Sequence, residues 1–182
     1  MTIICAYRSE GETAIASDSA GTDGWGYQEC YGSKLHEFEF GFLGFSGSYQ
    51  MVPFVFDALE NTRSLENPGE ARQFSKKVWE AMIQGGWEDK GGKEGLPKNE
   101  QLAILIISRG GRIWTLQSDF AVLESKQYAA IGSGAFASLG ALEVLRSRKT
   151  PAMAAVAKAV NVAIKLVSTC GGEIHSKLVS PE

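Results

Sequence analysis

Histidine and cysteine are scarce in this chain, with two and three residues of 182. His36 and His175 have no His, Cys or carboxylate partners at ligand spacing, so neither a metal site nor any other cofactor is expected. Cys5, Cys30 and Cys170 are odd in number and not spaced as metal ligands. They read as reduced thiols of a cytoplasmic protein rather than a disulfide framework, with Cys5 as core filler in an apolar strand. No apolar run approaches the roughly 18–20 residues that span a bilayer. The chain does not open on a basic segment followed by an apolar one, so no signal peptide is expected either. Charge of one sign is also missing: 18 Lys and Arg against 21 Asp and Glu leave a net −3. That balance argues against nucleic acid or an anionic membrane as the main partner.

The chain does have glycine, 21 residues of it, scattered at turn positions between short apolar runs. Many short, tightly connected strands are the reading. With 44% hydrophobic residues, a chain of this length most simply forms a single domain, residues 1–182, with a sizeable core. Residues 2–7 and 12–17 read as a hairpin and residues 19–32 as a polar loop carrying Trp25 and Tyr27. Residues 34–40 and 42–45 form a second hairpin. Ser48 caps a helix over 49–61 whose Met51, Phe54, Val55, Ala58 and Leu59 share one face, with Pro53 in its first turn. A second helix over 69–84 places Phe74, Val78 and Met82 on one stripe, and residues 85–97 form a polar loop.

Residues 101–108 form a strand buried on both faces, followed by strands over 112–117 and 127–131. Gly132-Ser133-Gly134 opens a helix to 148. Thr150 caps the next, with Pro151 at its first position and Met153, Val156, Val160, Ala163 and Val167 inward. Cys170-Gly171-Gly172 ends it, and 173–179 form a closing strand. Strands and helices come in groups rather than alternating, which excludes a doubly wound fold. The fold class is therefore α+β: a four-layer α/β/β/α sandwich of two mainly antiparallel sheets.

The chemistry centres on Thr2. Removal of Met1 would leave a threonine whose hydroxyl is a nucleophile and whose own α-amine is its base. Asp18 follows sixteen residues later at the end of the second strand, which the hairpin returns to the chain start. Lys34 opens the third strand toward the same end. An α-amine titrates near ~7.7–8.0, and a neighbouring lysine cation lowers that by repulsion while Asp18 positions the lysine. Gly47, between an apolar run and a helix start, lets a substrate carbonyl reach a backbone N–H. Ser133, at a strand-to-helix turn, is suited to shuttling a proton or orienting the amine. The Gly132-Ser133-Gly134 turn lacks the third glycine and the Lys-Ser/Thr of a phosphate loop, so it is not read as a nucleotide site. The basic run Arg146 to Lys149 reads as a solvated helix end.

Thr2-Ile3-Ile4, Ile15 to Ser19, Thr22, Gly32-Ser33-Lys34-Leu35, Gly44 to Ser48, Ile131 to Gly134 and Cys170-Gly171-Gly172 occur in this order along nearly the whole chain. Together they resemble the proteasome β-subunit family of N-terminal nucleophile hydrolases, including its two-component bacterial ATP-dependent relative. The resemblance implies a threonine endopeptidase with Thr2 as nucleophile, Asp18, Lys34 and Ser133 in support, and Gly47 giving an oxyanion N–H. It also implies that Thr22 bonds the backbone of a peptide or unfolded-protein substrate. Ala20, Phe45 and Tyr49 would then lie near the pocket for the side chain before the scissile bond. The implied assembly is a homo-oligomeric ring, fed by an ATPase unfoldase. Family sites usually carry an Asp and a Ser just before the late Gly-Gly. Here residues 165–170 hold no carboxylate, leaving Ser168 or Thr169 to stand in. Two other functions fit the same fold: a non-catalytic ring or scaffold protein, and an N-terminal nucleophile amidase acting on a small amide.

Overall fold

The computed structural model describes residues 2–22, 27–29, 32–47, 52–59, 61–84 and 102–180. Strand β1 (Ile4–Ser9) turns into β2 (Glu12–Ser17) through Glu10 and Gly11, at φ 52° and 85°. Two successive residues with positive φ make the two-residue turn whose twist matches that of its strands. Strands β3 (Ala20–Thr22) and β4 (Tyr27–Glu29) form a small antiparallel ladder of their own. This ladder occupies part of the stretch expected as loop. Strand β5 (Leu35–Phe38) pairs with β6 (Gly41–Ser46) as the second expected hairpin.

Helices α1 (Val52–Leu59) and α2 (Pro68–Gln84) follow. Three more antiparallel strands come next: β7 (Ala103–Ser108), β8 (Ile113–Leu116) and β9 (Val122–Ser125). Strand β10 (Tyr128–Ile131) leads into α3 (Ala135–Ser147), then α4 (Ala152–Leu166) and β11 (His175–Val179). The helix cap Ser48, residues Met51, Trp25 and Cys30, and the loop at 85–97 lie outside the described residues.

One sheet runs β10-β1-β2-β11 and the other β5-β6-β7-β8-β9. Alternation along the strands divides the apolar residues among three layers. Ile4, Ile15, Leu35, Leu105, Ile107 and Ile131 fill the space between the sheets. Their strand neighbours Ile104 and Ile106 face outward with Leu43 and Phe45 to meet Val55, Leu59, Phe74, Val78 and Met82 of α1 and α2. Ile3, Cys5, Ala14 and Ala16 face the other way, onto Leu142 of α3 and Val156, Ala159 and Val160 of α4. The chain is thus the expected α/β/β/α sandwich, and β7 is apolar throughout because both its faces are covered.

Two local details differ from expectation. Pro151 is the N-cap of α4 rather than its first residue, with extended ψ of 146° and no side-chain cap. Its ring holds φ near the helical value while ψ stays extended, so the helix begins one residue later. Strand β9, partly exposed and on the sheet edge, has no pronounced apolar alternation in its Val-Leu-Glu-Ser sequence. Among the described residues, no helix is long and apolar enough to cross a membrane.

Candidate active site

Thr2 sits just before β1, and the tight β1–β2 turn returns Asp18 to its side: the Asp18 N–H donates to the Ile3 carbonyl at 3.1 Å. Asp18 is fully buried and both its oxygens are occupied. Oδ1 accepts the Thr2 hydroxyl at 2.8 Å, the Ile3 N–H at 3.0 Å and the Lys34 ammonium at 2.6 Å. Oδ2 accepts the Gly171 N–H at 3.0 Å.

Lys34 is itself buried and donates to Asp18, to the Ala20 carbonyl at 2.6 Å and to Thr2 Oγ1. These partners match the three donors of an ammonium group. Thr2 Oγ1 therefore donates to a carboxylate and accepts from a cation, in a residue only 4% exposed. A buried charge pair of this kind is sustained by hydrogen bonds to both partners, which offset the cost of leaving water.

The turn between β10 and α3 approaches from the other side. Gly132 has φ 93°, and a Cβ there would lie 2.2 Å from the Thr2 carbonyl oxygen, so the close approach requires glycine. That carbonyl accepts the N–H of Gly134, the N-cap of α3, at 3.3 Å and the Ser133 hydroxyl at 3.3 Å. Thr2 thus satisfies a backbone donor at the start of α3, which has no side-chain cap.

Ser133 Oγ is also 2.8 Å from Thr169 Oγ1 and 3.8 Å from Cys170 Sγ. Of the two hydroxyls left to stand in for a carboxylate, Thr169 reaches Ser133, while Ser168 is exposed. Burial pushes the Cys170 thiol up, with the Ser133 contact acting in the opposite sense. The thiol therefore stays neutral near pH 7 and offers no thiolate beside Thr2.

The remaining expected residues fall as follows. Gly47, at φ 139°, directly follows β6. Gly44 in β6 is packed so closely on β1 that a Cβ would lie 2.7 Å from Ile4 Cγ2. Ala20 is buried and its carbonyl holds Lys34. Thr22 pairs with Tyr27 in the β3–β4 ladder. Phe45 packs in the layer between the second sheet and helices α1 and α2. Tyr49 lies outside the described residues. His36, two residues beyond Lys34, rests edge-on against Phe56, and burial lowers its pKa.

Sequence reasoning did not find the Gly171 N–H on Asp18, because a backbone donor 153 residues away leaves no side-chain signal. The Gly171-Gly172 pair was legible as a helix stop and as part of a family motif, and neither reading assigns its N–H to Asp18. Among the described residues, no three or more His, Cys, Asp and Glu side chains gather as a metal site would require.

Layer order and sheet topology define a four-layer α/β/β/α sandwich with two antiparallel sheets at its centre. Solved structures of that fold match the chain over its whole length. Thiobacillus denitrificans BPH matches at TM-score 0.77 and 20% identity, covering 100% of both chains. BPH in complex with Epoxomicin matches at 0.77 and 18%, again over 100% of both. Eukaryotic HslV from Trypanosoma brucei matches at 0.72 and 18%, over 98% of this chain and 99% of that one. At these identities the likeness establishes the fold. No family model matches the sequence, and no curated protein matches it either.

Proposed function

We propose that this chain is a threonine endopeptidase subunit, a single proteasome-β-like domain that cleaves peptide bonds through Thr2 once Met1 is removed. The observation that carries the reading is the Thr2 hydroxyl held between a buried carboxylate and a buried ammonium. With its amine free, Thr2 Oγ attacks the scissile carbonyl as the amine takes the hydroxyl proton. The Lys34 cation favours negative charge developing on Oγ and disfavours a second cation on the amine. The Gly47 N–H receives the oxyanion. The amine then passes its proton to the leaving nitrogen, and water hydrolyses the ester on Thr2. Ser133 orients the amine end of Thr2, braced by Thr169.

An extended peptide lies along β3, bonded by Thr22, with Ala20, Phe45 and Tyr49 near the pocket for its leading side chain. Likeness to HslV and BPH supports a cytoplasmic homo-oligomeric ring, served by an ATPase that delivers unfolded protein. The test pairs intact mass with labelling. The native protein should have lost one methionine and react once with an electrophile directed at hydroxyl nucleophiles. Thr2→Ala should neither react nor cleave peptides, and retained labelling in that variant would sink the mechanism. Epoxomicin, the ligand of the matched BPH complex, is a second probe, with binding expected to weaken in Thr2→Ala.

A non-catalytic ring subunit is the second reading, favoured by the absence of a carboxylate in residues 165–170. Retained Met1 in the native protein would support it.

A further inference from the structure

Residues 18–20, running from the end of β2 into β3, and residues 171–173 between α4 and β11 clasp each other reciprocally. The Gly171 carbonyl accepts the Ser19 N–H at 3.2 Å and the Ala20 N–H at 3.1 Å. In return the Gly171 N–H donates to Asp18 Oδ2 at 3.0 Å, and the Glu173 N–H donates to Ser19 Oγ at 2.8 Å. Alternate amides of one loop thus land on consecutive side chains of the other. Ser19 is 5% exposed, and Gly172 at φ 74° lies against it: a Cβ on Gly172 would fall 2.2 Å from Ser19 Oγ. The loop takes its left-handed turn where the serine hydroxyl needs room.

Ser19 also stands in the chain between two acceptors of Lys34, the Asp18 side-chain Oδ1 and the Ala20 backbone carbonyl. Any shift of the 18–20 segment therefore moves both acceptors together and carries the Lys34 ammonium away from Thr2 Oγ1. Asp18, Lys34 and Thr2 contact the reacting hydroxyl or are part of it, whereas Ser19 reaches it only through its neighbours.

We propose that Ser19 is a positioning residue: its hydroxyl latches the 171–173 loop so that Gly171 stays on Asp18 and Lys34 stays on Thr2. The proposal rests on the peptidase reading for its kinetic part and on geometry alone for the latch. Thr22, the residue that bonds substrate backbone, lies beyond the 18–20 segment and is held by the β3–β4 ladder, so a loop that drifts misaligns the attack rather than that contact. Losing Ser19 should therefore lower kcat and leave KM unchanged.

The experiment uses the full chain after Met1 removal and compares wild type, Ser19→Ala, Gly172→Ala and the double variant. Two quantities are read: hydrogen exchange of the Gly171 and Glu173 amides, and peptide turnover. A net hydrogen bond of ~1 kcal/mol corresponds to roughly fivefold, and up to ~10-fold toward the upper range. Ser19→Ala should accelerate exchange at both amides by about that factor. It should lower kcat by a similar factor, with KM within about twofold.

Gly172→Ala should do the same or more, because its Cβ displaces the Ser19 hydroxyl. In the Ser19→Ala background that contact is gone, so the added loss from Gly172→Ala should shrink. Unchanged Gly171 exchange in Ser19→Ala would overturn the latch. Faster exchange with unchanged kcat, or a rise in KM that accounts for the loss, would overturn the positioning role. If the wild type neither turns over peptide nor labels at Thr2, the peptidase reading falls, and Gly171 exchange still decides the latch.

Discussion

Asp18→Asn keeps the shape of the side chain and removes its charge from beneath Lys34. At 2.6 Å and an effective dielectric constant near 20, the attraction lost is about 6 kcal/mol. Removing the charges from burial offsets much of this, and breaking one side of a buried pair costs roughly 3–5 kcal/mol in practice. The two partners are not equivalent. Without Lys34, Asp18 keeps the Thr2 hydroxyl and the Ile3 and Gly171 amides. Without the Asp18 charge, Lys34 keeps only neutral oxygens, those of Ala20 and Thr2 among them.

Asp18→Asn should therefore sit at the upper end of that range and Lys34→Met at the lower end. The double variant, with no buried charge left unpaired, should be less destabilised than the sum by roughly 1–3 kcal/mol. Urea denaturation at fixed protein concentration measures all four corners, since assembly would otherwise shift the midpoints. Additivity within about 0.5 kcal/mol, or a cost below about 1 kcal/mol for Asp18→Asn, would refute the coupled buried pair.

Other expectations can be checked in the same denaturation assay. Gly132→Ala forces a Cβ against the Thr2 carbonyl at φ 93° and should cost roughly 2–5 kcal/mol from backbone strain and overpacking together. Gly140→Ala, in α3 with nothing within 4 Å of its Cβ, should instead stabilise by up to ~1 kcal/mol, and equal effects at the two sites would contradict the packing described. Glu143 is held down to about 2 by Arg146 and the Tyr128 hydroxyl, from an ordinary 4.5. A carboxylate with a depressed folded-state pKa stabilises fully above its unfolded value and loses that contribution as pH falls through its folded value. Glu143→Gln should therefore flatten the pH dependence of stability between about 4.5 and 2, weakly and only at low salt because the site is exposed.

Legibility tracked the range of the interaction. The contact of Thr2 with Asp18 followed from reading residues 2–7 and 12–17 as a hairpin, since strands of equal length return the chain to its start; the structure tightens the turn to Glu10 and Gly11. The helix stripes at Val55, Phe74, Val78, Val156 and Val160 were set by a 3.6-residue period and are buried. The β3–β4 ladder was missed because three-residue strands carry too few positions for an alternation to show.

What the sequence by itself determined is the longer helices and strands, their faces and the candidate chemistry of Thr2, Asp18, Lys34 and Ser133, but not the short β3, β4 and β9. Only the tertiary structure decided which distant backbone groups complete that site. Placing β1 between β10 and β2, with β11 beyond, brings Gly132, Ser133 and Gly171 against Thr2 and Asp18. Periodicity and turn geometry act over a few residues and are written locally. Strand order arises from burying whole faces at once, and the backbone donors it delivers belong to no residue type.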